Sequence, residues 1–175
     1  MIGVPRNKVI LNEYDEQWKK DFEDEKLRLL SVCGDKIITI EHVGSTSVPG
    51  LISKPLIDIA LTFENKEKEE KLVEKFVSLN YEFIEDAGVE DRLFFVKRIN
   101  GNSYYHIHAY YKGSLNYENQ VMFRDYLRNN KEAFEEYAQL KRDLYENYKE
   151  NRVEYTMGKT SFIQRILSEK FQLNN

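Results

Sequence analysis

Between residues 41 and 63 the sequence sets a loop of small residues between two apolar runs and leaves one carboxylate inside the second run. The first run is Ile37-Ile38-Thr39-Ile40, the loop carries Gly44-Ser45-Thr46-Ser47, and the second run, Leu56 to Phe63, contains Asp58. Small residues let backbone N–H groups approach phosphate oxygens, and the N–H dipoles favour negative charge. An ionised carboxylate in an apolar strand is costly unless it is paired or holds a metal. Magnesium binds through one or two carboxylates plus substrate phosphates. Asp58 is therefore the first candidate for catalysis and for metal ligation; the structural alternative is a strand-end aspartate capping the loop. Gly44, Ser45, Thr46 and Ser47 are candidate nucleotide contacts, and Lys54, between loop and strand, is placed to reach a phosphate.

His106 and His108 lie two residues apart, so on a strand both rings face one side. With Asp58 they make a carboxylate and two imidazoles, a set suited to Zn²⁺, Mn²⁺ or Fe²⁺ more than to Mg²⁺ alone. The alternative is two half-exposed histidines on a polar strand face. Tyr104 and Tyr110 flank them and are candidates to stack on a base. His42, just before the loop, reads as a phosphate partner, as a general acid or base near pH 7, or as a histidine satisfying loop carbonyls. Arg92 and Lys97 share the neighbouring hairpin strand. Lys141 interrupts an apolar helical stripe between Tyr137/Ala138 and Leu144/Tyr145, so it either snorkels outward or points at a ligand. Lys141 and Arg92 are the cations read as neutralising charge that develops on phosphates. The loop lacks the Gly-Lys-Ser/Thr ending of a Walker-type P-loop, and no nucleophile-elbow pattern surrounds Ser47.

These residues need elements to hold them. Apolar spacing predicts helices over 12–33, 65–79, 117–129, 131–150 and 159–171. The first helix starts at Asn12 or one turn later, and carries Trp18, Phe22, Leu27, Leu29, Leu30 and Cys33 inward. Strands are expected at 36–41, 56–63, 81–86, 92–98 and 104–111. The last two form a hairpin across Asn100-Gly101, a strong turn dipeptide. Residues 56–63 are apolar on both faces apart from Asp58, which marks a central strand covered on both sides. The fold class is α+β: a mixed sheet of about five strands with packed helices and a helical C-terminal third, read as a single domain over residues 1–175.

A net charge of −4 with a pI of about 5.5 argues against broad binding to a nucleic-acid backbone and for a small-molecule or nucleotide substrate. The lone cysteine, Cys33, forms no internal disulfide, which suggests a reducing, cytoplasmic setting. No apolar stretch approaches the roughly 20 residues of a membrane span, and residues 1–8 lack the apolar core of a signal peptide.

The run His42-Val43-Gly44-Ser45-Thr46-Ser47-Val48-Pro49-Gly50-Leu51, followed by Lys54-Pro55-Leu56-Ile57-Asp58-Ile59, resembles the GrpB family. The resemblance extends through Tyr14 and Trp18, His106-Ile107-His108, Phe123-Arg124-Asp125-Tyr126-Leu127-Arg128, and Tyr155-Thr156 with Lys159-Thr160, so it covers nearly the whole chain. The family looks like a branch of the nucleotidyltransferase superfamily, which is marked by a Gly-Ser turn and then Asp-x-Asp on the next strand. The resemblance implies a nucleotidyltransferase-like fold and a divalent metal, Mg²⁺ or Mn²⁺ with Zn²⁺ as the alternative. It also implies ATP or another NTP as ligand, and transfer of a nucleoside monophosphate to a small acceptor. This sequence departs from the pattern at Ala60, where the second carboxylate would stand, so the missing ligand would have to come from an acid such as Glu41, Glu64 or Glu85. Two other readings therefore stay open: a nucleotide- or metabolite-binding module without catalysis, and a metal-dependent hydrolase.

Overall fold

The computed structural model describes residues 2–6, 8–34, 36–64, 69–85, 88–89 and 91–173. In chain order the elements are β1 (Val4–Pro5), α1 (Gln17–Cys33), β2 (Ile37–Val43), β3 (Ile57–Phe63), α2 (Glu69–Ser78), β4 (Tyr81–Ile84), β5 (Arg92–Ile99), β6 (Asn102–Tyr111), α3 (Leu115–Asn129), α4 (Lys131–Tyr148), α5 (Arg152–Met157) and α6 (Thr160–Leu173). The strands form one mixed sheet in the order β2-β3-β6-β5-β4, and the short β1 pairs with the start of β6. Among the described residues only β3 and β6 run parallel; the other strand pairs are antiparallel. The result is the α+β mixed sheet expected, with β1 as an additional strand. The expected helix start at 65–68 and strand end at Asp86 lie outside the described residues.

Side-chain alternation sorts β3 into two faces. Ile57, Ile59, Leu61 and Phe63 join Trp18, Phe22 and Leu29 of α1, Leu72 and Phe76 of α2, and Ile107 and Ala109 of β6 in the main core. Each fully buried side chain of this size contributes about 1.5–3 kcal/mol. Asp58 and Ala60 point the other way, toward α3–α6. There a second cluster, built from Val48, Leu51, Leu127, Tyr137, Ala138, Phe162 and Ile166, fastens the helical third to the loop after β2. The helices of this third have local reasons to start where they do. Ser114, Asn130 and Asn151 precede α3, α4 and α5, and their side chains accept from the N–H of Tyr117, Ala133 and Glu154.

Several expectations are met and several are corrected. Asn100 and Gly101 both adopt positive φ, 50° and 78°, as a two-residue hairpin turn of type I′ requires. The first helix begins at Gln17, where Asp15 Oδ1 accepts from the Gln17 N–H, while Asn12 instead forms a β-bridge with Ser53. Leu27, expected inside, is 65% exposed; Glu25 takes the inward place between Phe22 and Leu29. On the strand beside β6, Lys97 faces the α1 side of the sheet, where its Nζ donates to both Glu25 carboxylate oxygens at 3.1 Å. Tyr81 donates to the same carboxylate at 3.0 Å. Among the described residues no helix is long and apolar enough to cross a membrane.

Candidate functional site

The register of β3 with its neighbours assembles the site. Asp58 pairs with His106 on one side and Val43 on the other, and Ala60 pairs with His108. His106 Nδ1 lies 3.2 Å and His108 Nε2 3.4 Å from Asp58 Oδ1. One ligand atom from each of the three lies within 4.8 Å of the others, so position and donor type fit a divalent metal. Burial raises the Asp58 carboxyl, but hydrogen bonds from both histidines and their charges outweigh it and hold the group well below the usual carboxylate range. His106 is pushed down by burial more than Asp58 pulls it up. Phe94 backs both imidazoles, its ring centre 5.1 Å from each.

The loop touches this group through Gly44. Its φ is +70° and its ψ −176°, and a Cβ there would fall 2.5 Å from Asp58 Oδ2. Only glycine lets the loop backbone lie against the carboxylate. Ser45–Ser47 then form one 3₁₀ turn. Gly44 is exposed and Ser45 half-buried, whereas Thr46 and Ser47 are buried with their hydroxyls engaged. Thr46 Oγ1 donates to the Leu56 carbonyl at 3.0 Å, and Ser47 Oγ donates to the Gly44 carbonyl at 2.6 Å. Arg128 holds the turn from outside, donating Nε and Nη2 to the Ser47 carbonyl. Of the four loop residues expected to contact a nucleotide, Gly44 and Ser45 are the two that are not buried, and the Ser45 side chain hydrogen-bonds to Tyr137.

His42 does not join the group. It pairs with Ile59, so it faces the α1 side, where it stacks on Phe22 with ring centres 4.7 Å apart. Because the Thr46 hydroxyl proton goes to the Leu56 carbonyl, His42 Nε2, 3.1 Å from that oxygen, is the donor of their hydrogen bond. Burial lowers its pKa to about 4, against the pull of Asp58 and with the push of Arg128 and Arg124. This is a neutral packing histidine, which corrects its expected role as catalytic acid or base. Tyr104 is likewise elsewhere, against Gly3, while Tyr110 does line the site.

A cavity of about 420 Å³ opens on Asp58 between the sheet and α3–α6. Gly44, Ser45, Lys54, Arg92, His108, Tyr137, Lys141, Tyr155 and Lys159 line it. Lys54 and Lys159 approach the Tyr155 ring, with Nζ 5.8 and 4.7 Å from its centre. Lys141 is only 2% exposed, so it points inward; its Nζ is 3.4 Å from Ser53 Oγ and 5.5 Å from the centre of the Tyr137 ring. Burial lowers all three lysines, nearby cations lower them further and Asp58 opposes: Lys54, beside Arg152, falls to about 8, Lys159, beside Lys54 and Arg152, to about 7, and Lys141, beside Lys159 and Lys54, well below its usual range. The sequence marks neither tyrosine as a site residue: Tyr137 shows only its helical spacing, and Tyr155 only its place in the run that resembles the GrpB family. Tyr155 is fully buried, and its hydroxyl makes no hydrogen bond among the described residues. A wider groove of about 870 Å³ lies on the His42 side of the loop, but none of the metal donors or these lysines lines it.

Ala60 is fully buried opposite Glu41 and His108. Glu41 is turned to Arg124 Nη1 at 2.6 Å. Among the described residues no carboxylate other than Asp58 belongs to the metal-donor group.

The sequence model of the GrpB protein family matches residues 8–169, which contain every residue of this site. The chain belongs to the GrpB family. YqkA of Bacillus subtilis is 34% identical over 160 residues, covering 91% of this GrpB chain but 46% of YqkA, so the chain spans about half the length of that relative. The crystal structure of GrpB from Enterococcus faecalis superposes with a TM-score of 0.85 at 30% identity, over 94% of this chain and 99% of that one. The GrpB fold described above is thus shared along its length. A Cid1 poly(U) polymerase aligns only at 10% identity and TM-score 0.45, over 74% of this chain and 45% of that one, a distance at which no chemistry can be inferred.

Proposed function

We propose that this GrpB-family chain binds a nucleoside triphosphate together with one divalent metal and transfers the nucleoside monophosphate to a small acceptor. One observation carries the reading: Lys54, Arg92, Lys141 and Lys159 share one cavity with Asp58, the single carboxylate among the described residues that line it, in a chain whose net charge is −4. Cations gathered against the overall charge call for an anionic ligand with several charges, and a polyphosphate answers that need. In this reading the backbone at Gly44-Ser45 and the amines of Lys54 and Lys159 hold the terminal phosphates, and Lys141 faces charge that develops at the leaving oxygens. Tyr110 and Tyr137 flank the base. Asp58 would hold the metal, Mg²⁺ or Mn²⁺, through Oδ2 beside Gly44; when bound, the metal would polarise the phosphoryl oxygens. The lone buried Cys33 supports a reducing, cytoplasmic setting.

A second reading, nucleotide binding without transfer, is favoured by Ala60 and by Glu41 being committed to Arg124. Titration calorimetry of ATP with Mg²⁺ or Mn²⁺, paired with pyrophosphate release from labelled ATP across an acceptor panel, separates the two. Metal-dependent ATP binding lost in Asp58→Ala, plus acceptor-dependent release, supports transfer. Binding without release leaves a binding module, metal binding without ATP binding turns the reading toward a hydrolase, and no binding of either ligand overturns the site.

A further inference from the structure

Arg92 Nη1 lies 3.3 Å from His108 Nδ1, and His108 Nε2 lies 3.4 Å from Asp58 Oδ1. A guanidinium offers only N–H donors and keeps its proton in proteins. In this contact His108 Nδ1 can only accept, so an Arg92–His108 hydrogen bond requires a bare Nδ1 and puts the ring N–H on Nε2, facing Asp58 Oδ1. A histidine that ligates a metal through Nε2 needs the reverse arrangement. Its lone pair must be on Nε2, and its Nδ1–H must be given to a carboxylate, a carbonyl or water. Arg92 is none of these; it is a donor and a cation. The arginine is held in place from below, its Cζ 4.9 Å from the centre of the Phe94 ring that also backs both histidines.

The two oxygens of Asp58 then divide the work. Oδ1 takes the contacts of both imidazoles. Oδ2, against Gly44, has no hydrogen-bond partner among the described residues and faces the turn where phosphates would lie. We propose that Arg92 is a metal-specificity residue. By keeping His108 as an Nε2–H donor, it denies the Asp58–His106–His108 group to nitrogen-preferring ions such as Zn²⁺ and reserves Asp58 Oδ2 for an oxygen-preferring ion such as Mg²⁺ or Mn²⁺. The inference rests on Asp58 being the metal residue of the proposed function, but its tautomer is independent of any reaction.

Two measurements test it. Long-range ¹⁵N–¹H correlation NMR of the histidine rings, on metal-free protein at neutral pH, reads the tautomer directly. The chain has three histidines, so His108→Ala assigns the signal. The expected result is a neutral His108 protonated on Nε2; a ring protonated on Nδ1 overturns the proposal, with no variant needed. The second measurement compares Zn²⁺ and Mn²⁺ affinities of the wild type, Arg92→Leu, Arg92→Lys and the double variant Arg92→Leu/His108→Ala. Loss of the positive charge favours both ions alike, so the ratio of the two affinities is the readout. Arg92→Leu should raise the Zn²⁺ to Mn²⁺ ratio at least tenfold, Arg92→Lys should leave it near the wild-type value, and removing His108 should cancel the gain. An unchanged ratio in Arg92→Leu, or tight Zn²⁺ binding through both histidines in the wild type, refutes the role. A wild type that binds no ATP with Mg²⁺ or Mn²⁺ counts against the transfer reading, while the tautomer and the Zn²⁺ ratio still decide this one.

Discussion

A β-carbon at position 44 would sit 2.5 Å from Asp58 Oδ2, on a backbone conformation that side chains rarely adopt. Gly44→Ala is therefore expected to cost about 1–3 kcal/mol in chemical denaturation. It should also displace the carboxylate, so metal-dependent ATP binding should fall further than stability does; equal losses would show that the loop does not position Asp58. Lys141→Met should separate the two properties in the other direction. Replacing a buried amine with an apolar side chain of similar length is expected to leave stability unchanged or raise it by about 1 kcal/mol, while ATP binding drops at least tenfold. His42 offers a pH test. Its folded pKa of about 4 lies below the unfolded value of 6.5, so the unfolded chain takes up the proton first as pH falls. Stability should therefore decline from pH 6.5 toward 4, by up to about 3 kcal/mol from this residue. Comparing urea midpoints of wild type and His42→Leu at pH 7 and pH 5 checks it: the variant should lose most of that slope.

At the scale of elements, the far side of the sheet carries a charge pair with no part in the site. Glu25 of α1 and Lys97 of β5 are 5% and 8% exposed and bonded to each other, so Lys97→Met removes the buried cation from a buried carboxylate and leaves it only the Tyr81 hydroxyl and the partly exposed Arg28. The expected loss is about 3–5 kcal/mol, largely recovered in Glu25→Leu/Lys97→Met, with ATP affinity unchanged throughout. This pair also marks where sequence reading stops. Strand alternation alone put His106 and His108 on one face, and the Asn-Gly turn located the hairpin. Alternation does not reveal the register between strands, and only the pairing of Val43 with Asp58 shows that His42 faces away from the carboxylate. Glu25 was illegible for a related reason: a carboxylate on the apolar stripe looks like a boundary residue until its partner from β5 is in place. β1 and α5 were missed because two residues and six residues carry too little periodicity. Lys141 was legible because a single lysine interrupts an otherwise apolar stripe, while Tyr155 looked like one more packing aromatic.

For the molecule as a whole, the cation cluster ties ligand binding to pH. Lys159 near 7 and Lys54 near 8 are partly deprotonated in the empty site at neutral pH, and an anion among them favours their charged forms. ATP binding should therefore take up protons and weaken as pH rises from about 6.5 to 9. The uptake is readable as a binding heat that depends on the buffer's ionisation enthalpy; a heat independent of buffer would remove these amines from the contact. The sign reverses for the empty chain. Both lysines lie below their unfolded value of 10.5, so the unfolded chain holds protons that the folded chain has released. Their contribution to stability rises with pH between about 7 and 10.5.

The cavity walls come from Val43 at one end of the chain's order and Leu167 at the other, the first on the sheet and the second on the last helix. Whatever fills the space rivets sheet and helices together, and separating them must first expel it. A compound at a hundred times its dissociation constant adds about 2.7 kcal/mol to global unfolding. For a chain of 175 residues that is a rise in melting temperature of roughly 5–10 °C. Thermal melting therefore ranks phosphorylated metabolites as candidate ligands by how far each delays unfolding.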